Sequence, residues 1–336
     1  MRKSLLAVGI VGSALAALLL VVAPATASSP TALGTDATTV DPVAIKGTQT
    51  LPNGRVAIPV KSDKPTWLTP EIELAARNGK GKPQQAPPAA AAAIPGPPAD
   101  VPAAGYVGIR PGSWMVSPAG CTMNFVFGTP GNYAIGTAGH CIETGQDVIL
   151  LTAAPPNQDP CVPLSNLCFA TGTPVLVNIG TATRSVDGGV GNDFALIPIR
   201  PELQSWVYTT IAQVGGPCGK YVGDGTLPDV TVLRGANPIE AGEGVFHYGH
   251  GLAVGTGGTP RAGAAISWDT DAFYWASPSM LGDSGSAVRI HDLKAAGDLT
   301  HLVVGTQTAP AFVAGTRISK MEQIAGMPLA NSPYCV

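Results

Sequence analysis

Gly282-Asp283-Ser284-Gly285-Ser286 is the stretch of this 336-residue chain that bears most directly on its fold and chemistry. Glycines on both sides of Ser284 allow a sharp turn with backbone angles that other residues avoid. In such a turn the amides of Gly282 and Ser284 can point at one spot, and two converging N–H donors stabilise an anionic tetrahedral intermediate. The stretch makes Ser284 a candidate nucleophile, with Gly282 and Ser284 as its oxyanion hole. An ordinary Gly-Ser loop is the alternative.

A second stretch, Gly136-Thr137-Ala138-Gly139-His140-Cys141, brings a histidine into a run of small residues. Small neighbours give the imidazole of His140 a crowded, well-defined position. Cys141 can link that position to a neighbouring strand, and Cys121 is the partner we expect for it. A structural histidine beside a disulfide is the alternative to a catalytic one.

A carboxylate is the third candidate, because Asp193 opens the apolar run Phe194–Ile197 and is therefore expected to be buried. A buried carboxylate needs a hydrogen-bond donor. The Nδ1–H of His140 would satisfy it and would leave Nε2 free to act as a base. Asp187 precedes a Gly-Gly turn and is expected to be solvated, and Asp147 lies too close to His140 in sequence to return to it easily, so both are weaker alternatives.

From about residue 104 onward, short apolar runs alternate with turn residues, and the chain is rich in glycine (42) and proline (32). Such a pattern predicts an all-β sandwich or barrel, and the length of this part suggests two packed barrels. The strand-length runs are 123–127, 148–151, 194–197, 230–233 and 302–304. Near the end, Thr316 is expected to cap a short helix that Gly326 and Pro328 terminate.

The chain order of the three candidates is histidine, aspartate, serine, which separates them from the orders of subtilisin-like enzymes and α/β-hydrolases. Residue 286 is also serine where the α/β-hydrolase elbow requires glycine. Thr137-Ala138-Gly139-His140-Cys141 and Gly282-Asp283-Ser284-Gly285 together resemble the trypsin/chymotrypsin family of serine proteases, especially its secreted bacterial members. The resemblance covers roughly residues 105–336. It implies two packed six-stranded antiparallel barrels, with His140, Asp193 and Ser284 as a catalytic triad in the cleft between them.

The resemblance also implies further site residues. Pro278 stands six positions before Ser284, where trypsin-like relatives have an aspartate that binds Arg or Lys. Gly305 and Thr306 are then expected in the wall of the same substrate pocket. With no carboxylate at position 278, an uncharged residue is expected before the scissile bond, unless Asp269 or Asp271 enters the pocket.

Two structural roles follow from the resemblance as well. The chain lacks the Ile-Val-Gly-Gly start of many family members, so the partner of Asp283 is left open between Arg234 and Arg261. The resemblance further implies that His247 and His250 are structural or surface residues rather than ligands.

The first 27 residues predict a signal peptide, with Arg2 and Lys3 before the apolar run 5–22 and Ala25-Thr26-Ala27 as the cleavage site. An uncleaved membrane anchor is the alternative. Residues 28–82 are predicted to be a pro-segment, which makes the chain a zymogen, with a short helix that Thr69 caps.

The remaining boundaries follow from composition. Residues 83–104 are rich in proline and alanine and predict an extended linker, because proline blocks helices and central strands. The catalytic domain is expected over residues 105–336. A mere spacer that is never removed is the alternative for the preceding region.

Six cysteines in an exported chain indicate three disulfides. Beside Cys121–Cys141, the family suggests a bridge between Cys218 and Cys335, which leaves Cys161 and Cys168 to close a small loop. Cysteine and histidine spacing argues against a metal site. A net charge of −3 with 12% charged residues and no basic stripe argues against nucleic acid as a partner.

These observations predict a secreted, extracellular serine endopeptidase that forms an acyl-enzyme, requires no cofactor or metal, acts on proteins or peptides and works as a monomer. No stable membrane association is expected once the signal peptide has been removed. A non-catalytic secreted binding or adhesion protein on the same fold, or an esterase with the same triad, is the alternative.

Overall fold

The computed structural model describes residues 45–87, 107–155, 161–162, 167–168, 174–221, 242–251, 258–305 and 311–335. The first half of the chain contains the strands β1 Gln49–Thr50, β2 Val56–Pro59, β3 Gln84–Gln85, β4 Trp114–Ser117, β5 Cys121–Thr122, β6 Val126–Thr129, β7 Asn132–Thr137, β8 Asp147–Ala153, β9 Cys161–Val162 and β10 Leu167–Cys168. The second half contains β11 Pro174–Thr181, β12 Arg184–Asp187, β13 Asp193–Pro198, β14 Gly244–Gly249, β15 Thr259–Trp268, β16 Ala272–Ala276, β17 Ala287–Ile290, β18 Ala295–Asp298, β19 His301–Val303 and β20 Phe312–Thr316. In the described part of the chain, two α-helices accompany them, α1 Pro70–Asn78 and α2 Ile318–Ala325.

The strands form curled antiparallel sheets, which confirms the predicted all-β class. A five-stranded sheet has the order β3-β11-β8-β4-β5, and a four-stranded sheet has the order β12-β13-β7-β6. A nine-stranded sheet has the order β1-β2-β19-β20-β16-β15-β14-β17-β18 and contains the strands from β14 to β20. The count of six strands in each barrel stays a prediction. The expected strand at 230–233 lies outside the described residues.

Several buried apolar clusters hold these sheets together. The five- and four-stranded sheets enclose a buried cluster that includes Met115, Ile135 and Leu150, whereas the nine-stranded sheet contributes one that includes Trp275 and Val288. Burial of large side chains of this kind contributes roughly 1.5–3 kcal/mol each. The loops that carry the candidate catalytic residues are therefore fixed to rigid sheets.

Among the residues that the structure describes, two disulfides add to this rigidity. Cys121 is bonded to Cys141, and Cys218 is bonded to Cys335, as predicted. The second bridge attaches the end of the chain to the region between the two halves. Antiparallel pairing of β9 with β10 brings the backbones of Cys161 and Cys168 opposite each other.

Helix α1 begins as its sequence predicts. Thr69 is the N-cap, and its side-chain oxygen accepts a hydrogen bond from the amide of Ile72, while Pro70 takes the first helical position. The nearby strand β3 lies within the range expected to be an extended linker, and it pairs with β11 as an edge strand. Edge pairing is compatible with prolines nearby, because only a central strand needs every amide. The greater part of the predicted linker lies outside the described residues.

The N-cap expected for the C-terminal helix was wrong. Thr316 is the last residue of β20, and Arg317 precedes the helix as its N-cap. The hydroxyl of Thr316 has another use, because it accepts from the amide of Asp193 and donates to the Asp193 carbonyl oxygen, both at 3.0 Å. The helix ends at Gly326 in a left-handed conformation, as predicted. Within the described residues, no helix has the length and apolar character needed to cross a membrane.

Candidate active site

The three candidate residues come from three different parts of the fold. His140 lies in a single turn of 3-10 helix after β7, next to the Cys121–Cys141 disulfide. Asp193 opens β13, and Ser284 lies in the turn between β16 and β17. Glycine is required at position 139, before His140, because a Cβ there would lie 1.9 Å from the Val186 carbonyl oxygen.

The structure brings these side chains into one hydrogen-bonded row. His140 Nδ1 lies 2.6 Å from Asp193 Oδ2, and His140 Nε2 lies 2.7 Å from Ser284 Oγ. All three residues are buried, with relative exposures of 7% for His140 and 0% for the other two. With Asp193 ionised, Nδ1 carries the hydrogen and Nε2 faces the hydroxyl as an acceptor. The row can therefore remove a proton from Ser284.

The carboxylate of Asp193 is held by more than the imidazole. Its Oδ1 accepts a hydrogen bond from the backbone amide of His140 at 3.0 Å. Burial by itself would raise the pKa of Asp193, but the charge and hydrogen bonds of His140 outweigh it and lower this pKa. An ionised Asp193 fixes the ring of His140 in one orientation.

The two alternative carboxylates do not take this position. Asp147 is half-exposed, and its Oδ1 accepts from the Thr181 hydroxyl at 2.6 Å. Asp187 is exposed, but one of its oxygens lies within 4.8 Å of ligand atoms of His140 and Asp193. These three residues form the one group of metal-ligand type among the described residues. Any cation held there would compete with the His140–Asp193 hydrogen bond.

The turn around Ser284 has the backbone geometry that its glycines suggested. Gly282 has a φ of 104° and Gly285 a φ of 87°, both in the region that favours glycine. The amides of Gly282 and Ser284 converge on one acceptor, the carbonyl oxygen of Val60, at 2.6 and 3.4 Å. Because two donors meet at a single oxygen beside a serine hydroxyl, the turn can bind an oxyanion.

Asp283 has Arg261 as its partner. Arg261 Nη1 lies 2.6 Å from Asp283 Oδ1, and the two side chains are 4% and 0% exposed. The amides of Gly251 and Met280 also donate to this carboxylate, at 2.7 and 2.8 Å. The other residue considered for this role, Arg234, lies outside the described residues. This buried ion pair fixes the residue between the amides of Gly282 and Ser284.

Residues behind Asp193 were missed by the sequence analysis. His301 Nδ1 lies 3.8 Å from Asp193 Oδ2, and burial lowers the pKa of His301 to about 4. Asp298 is fully buried, and its pKa is raised well above the usual range by burial and by Asp193. His301 is therefore neutral at pH 7, and burial together with the charge of Asp193 favours the protonated form of Asp298. Asp298 lies in a stretch of sequence that contains no motif, so only its burial in the structure identifies it as part of this region.

His247 and His250 agree with a structural role. Both are buried, and His250 Nε2 lies 2.8 Å from the carbonyl oxygen of Gly112. Burial, assisted by the charge of Arg261, lowers the pKa of His247 to about 3. Burial likewise lowers the pKa of His250 to about 4.

The structure does not bring the three predicted pocket residues together beside Ser284 in its described part. Pro278 is exposed, Gly305 is half-buried, and Thr306 lies outside the described residues. The strand next to Ser284 is β19, which begins one residue after Thr300, and the Thr300 carbonyl oxygen lies 3.2 Å from Ser284 Oγ as an alternative acceptor for its one hydrogen. The predicted wall at 305–306 therefore lies further along the chain than the residues that contact Ser284. Its role in a pocket stays a prediction.

No protein-family model and no curated protein sequence matches this chain. Several solved structures are similar to it at low identity, and they are serine proteases of the trypsin/chymotrypsin type. A chymotrypsin from Cellulomonas bogoriensis is 15% identical, with 67% of this chain and 97% of that chain covered and a TM-score of 0.40. Protease A from Thermobifida fusca is 16% identical, with 67% and 98% covered and a TM-score of 0.37. A Glu endopeptidase is 16% identical, with 64% and 87% covered and a TM-score of 0.37. A likeness at this level says nothing about the activity of this chain.

Proposed function

We propose that this chain is a secreted serine endopeptidase that hydrolyses peptide bonds through His140, Asp193 and Ser284. One observation carries the proposal, namely the row from Ser284 Oγ through His140 to Asp193 at 2.7 and 2.6 Å, beside two converging amides. A base, a group that orients the base and an oxyanion site around one hydroxyl are what acyl transfer requires.

The proposed reaction follows from these roles. Ser284 Oγ attacks the carbonyl carbon while His140 Nε2 takes its proton, and His140 then gives that proton to the leaving amine. Water repeats the cycle and releases the acyl group from Ser284. The amides of Gly282 and Ser284 stabilise the oxyanion, and loss of one such donor typically costs about 2.7–4 kcal/mol of barrier. Asp193 stabilises the imidazolium that forms. The side chains and amides of this site supply every group that the proposed reaction needs, so it uses no cofactor.

Secretion and processing belong to the same proposal. A leader with Arg2 and Lys3, the apolar run 5–22 and small residues before position 28 is typical of an export signal. Two disulfides fit an extracellular protein. Residues 28–82 would be the pro-segment of a zymogen, and a monomer acting on proteins or peptides follows as the working form.

A test with two substrate types separates the proposal from its alternatives. The secreted protein, with all processed forms present, is assayed on a peptide library and on a small ester. We expect peptide hydrolysis that Ser284→Ala abolishes, with an uncharged residue before the cut bond. Ester turnover without peptide cleavage would favour an esterase, and no turnover of either would favour a binding protein. Strong preference for Arg or Lys would contradict the expected specificity.

A further inference from the structure

The chain's own segment 56–62 runs through the site beside Ser284. Strand β2 pairs antiparallel with β19, with Ala57 opposite Val303 and Ile58 opposite Leu302. The pairing continues one residue further, because the amide of Val60 donates to the Thr300 carbonyl oxygen at 3.2 Å. An extended peptide added to a sheet edge in this way is a common mode of peptide recognition.

Val60 ends this pairing with its carbonyl oxygen between the two proposed oxyanion-hole amides. The Gly282 amide donates to it at 2.6 Å and the Ser284 amide at 3.4 Å. A carbonyl held by both donors lies where the carbonyl of a substrate would be attacked by Ser284. The peptide bond from Val60 to Lys61 is therefore the bond presented to the nucleophile.

The segment is also held after that bond. Lys61 Nζ donates to the His140 carbonyl oxygen at 2.8 Å, beside a cavity of about 430 Å³ that Glu143 and Asp187 help to line. The amide of Ser62 donates to the Gly120 carbonyl oxygen, and the amide of Gly120 donates to the Ser62 carbonyl oxygen, both at 2.9 Å. Backbone hydrogen bonds on both sides of one peptide bond describe a bound, uncut peptide.

We propose that the 56–62 segment is a tethered occupant of the substrate cleft, bound in the register of a substrate with the Val60–Lys61 bond at Ser284, and that it keeps the enzyme latent. The inference rests on the proposed function, because it assigns a substrate position to each residue of the segment. A tethered peptide excludes external substrates for as long as its local concentration exceeds theirs.

The side chain of Val60 indicates the substrate class. It is 2% exposed and belongs to the buried apolar cluster that also contains Leu299 and Val313. A charged side chain would lose its hydration there without a partner. We therefore infer that external substrates carry a small aliphatic residue before the scissile bond.

Hydrolysis of the tethered bond would follow the proposed chemistry. The Val60 acyl group would pass to Ser284 Oγ, the serine proton would pass through His140 to the Lys61 amine, and water would then release the Val60 carboxylate. A new amino terminus at Lys61 in the wild-type chain, absent from Ser284→Ala, would support this register.

The register can be tested without catalysis. In a Ser284→Ala background, Ala57→Cys and Val303→Cys place two thiols on directly opposed residues of an antiparallel pair, within the reach of a disulfide. The matched control combines Val56→Cys with Val303→Cys, and an offset of one residue turns the side chains to opposite faces. Peptide mapping without reductant should find the 57–303 link and no 56–303 link. Absence of the first link, or equal yields of both, would overturn the proposed register.

Latency is tested by the rate at which a fluorophosphonate labels the intact full chain. Val60→Asp puts a carboxylate into the apolar cluster, and Ser62→Pro removes an amide donor after the bond, so each should displace the segment. Both variants should label roughly tenfold or more faster than wild type, because labelling follows the open fraction. Thr66→Ala, at an exposed position of the same region, is the control and should label like wild type.

The outcomes separate the two proposals. Equal labelling rates in wild type, Val60→Asp and Ser62→Pro would overturn latency while leaving the proposed function standing. No labelling in any variant would overturn the proposed function, and latency with it, even if the 57–303 link forms. Ser62 is only half-buried, so its replacement disturbs the apolar core less than Val60→Asp does. The labelling rate of Ser62→Pro can therefore be compared with that of wild type even if Val60→Asp does not fold.

Discussion

Replacement of Arg261 by methionine is the perturbation whose cost the structure defines best. Arg261 Nη1 lies 2.6 Å from Asp283 Oδ1, with 4% and 0% of the two side chains exposed. Methionine keeps much of the length of the arginine side chain and removes its charge. The change therefore isolates the ion pair that supports the turn before Ser284.

The expected loss of stability can be bounded from the contacts that remain. Removal of one partner of a buried ion pair typically costs about 3–5 kcal/mol, because the other charge is left without compensation. Asp283 would keep the amides of Gly251 and Met280 as donors. We therefore expect a loss at the lower end of that range, about 3 kcal/mol.

The loss should depend on pH in a defined direction. Burial raises the pKa of Asp283, and the charge of Arg261 opposes that rise. Without Arg261 the folded chain would bind a proton at Asp283 more readily than the unfolded chain does, so the stability of the variant relative to wild type should rise as pH falls.

Denaturant unfolding followed by tryptophan fluorescence measures this free energy. Arg261→Met combined with Asp283→Asn should recover part of the loss, because no buried charge is left unpaired. The reasoning would be refuted by a loss below about 1 kcal/mol, which is the scale of an exposed pair. Strict additivity of the two substitutions would contradict it as well.

Three further predictions concern other parts of the molecule. Gly282→Ala should lower kcat/KM by about 100-fold, since φ is 104° and a Cβ there would lie 2.9 Å from the His250 carbonyl oxygen; an unchanged kcat/KM would contradict the oxyanion role. Stability should fall as pH falls from 6.5 to about 4, because His250 is neutral in the folded chain until about pH 4 whereas the unfolded chain binds its proton from about 6.5. His250→Gln should make the dependence of unfolding free energy on pH shallower, and an identical slope would refute this cause. Thr69→Ala should cost about 1 kcal/mol of unfolding free energy through loss of the α1 N-cap, and no loss would show that the cap is dispensable.

The sequence predicted the features that depend on local chemistry. Sharp turns require glycine at positions where a Cβ would clash or where φ is positive. The glycines around Ser284 and before His140 therefore marked both residues as candidates in the sequence alone. Thr69 and Gly326 mark helix ends for equally local reasons. Asp193 could be ranked above Asp187 because an acidic residue at the start of an apolar run is expected to be buried.

Features that depend on tertiary contacts could not be read in this way. Thr316 is a residue type that often caps helices, but its hydroxyl is hydrogen-bonded to the backbone of Asp193, which is 123 residues away. Backbone carbonyl groups carry no sequence signal, so the sequence could not reveal the carbonyl of Val60 at the amides of Gly282 and Ser284, or that of Thr300 beside Ser284. Arg261 could only be proposed together with Arg234, because the choice between them depends on which strand passes Asp283.

Mapping of a fluorophosphonate adduct tests the central claim most directly. The measurement compares the secreted chain with Ser284→Ala and with Ser286→Ala, a serine that is equally buried and only two residues away. If Ser284 is the nucleophile that His140 activates, the adduct lies on Ser284, disappears in Ser284→Ala and persists in Ser286→Ala. An adduct that survives Ser284→Ala would contradict the account, as would no adduct in any chain, including those with the 56–62 segment displaced.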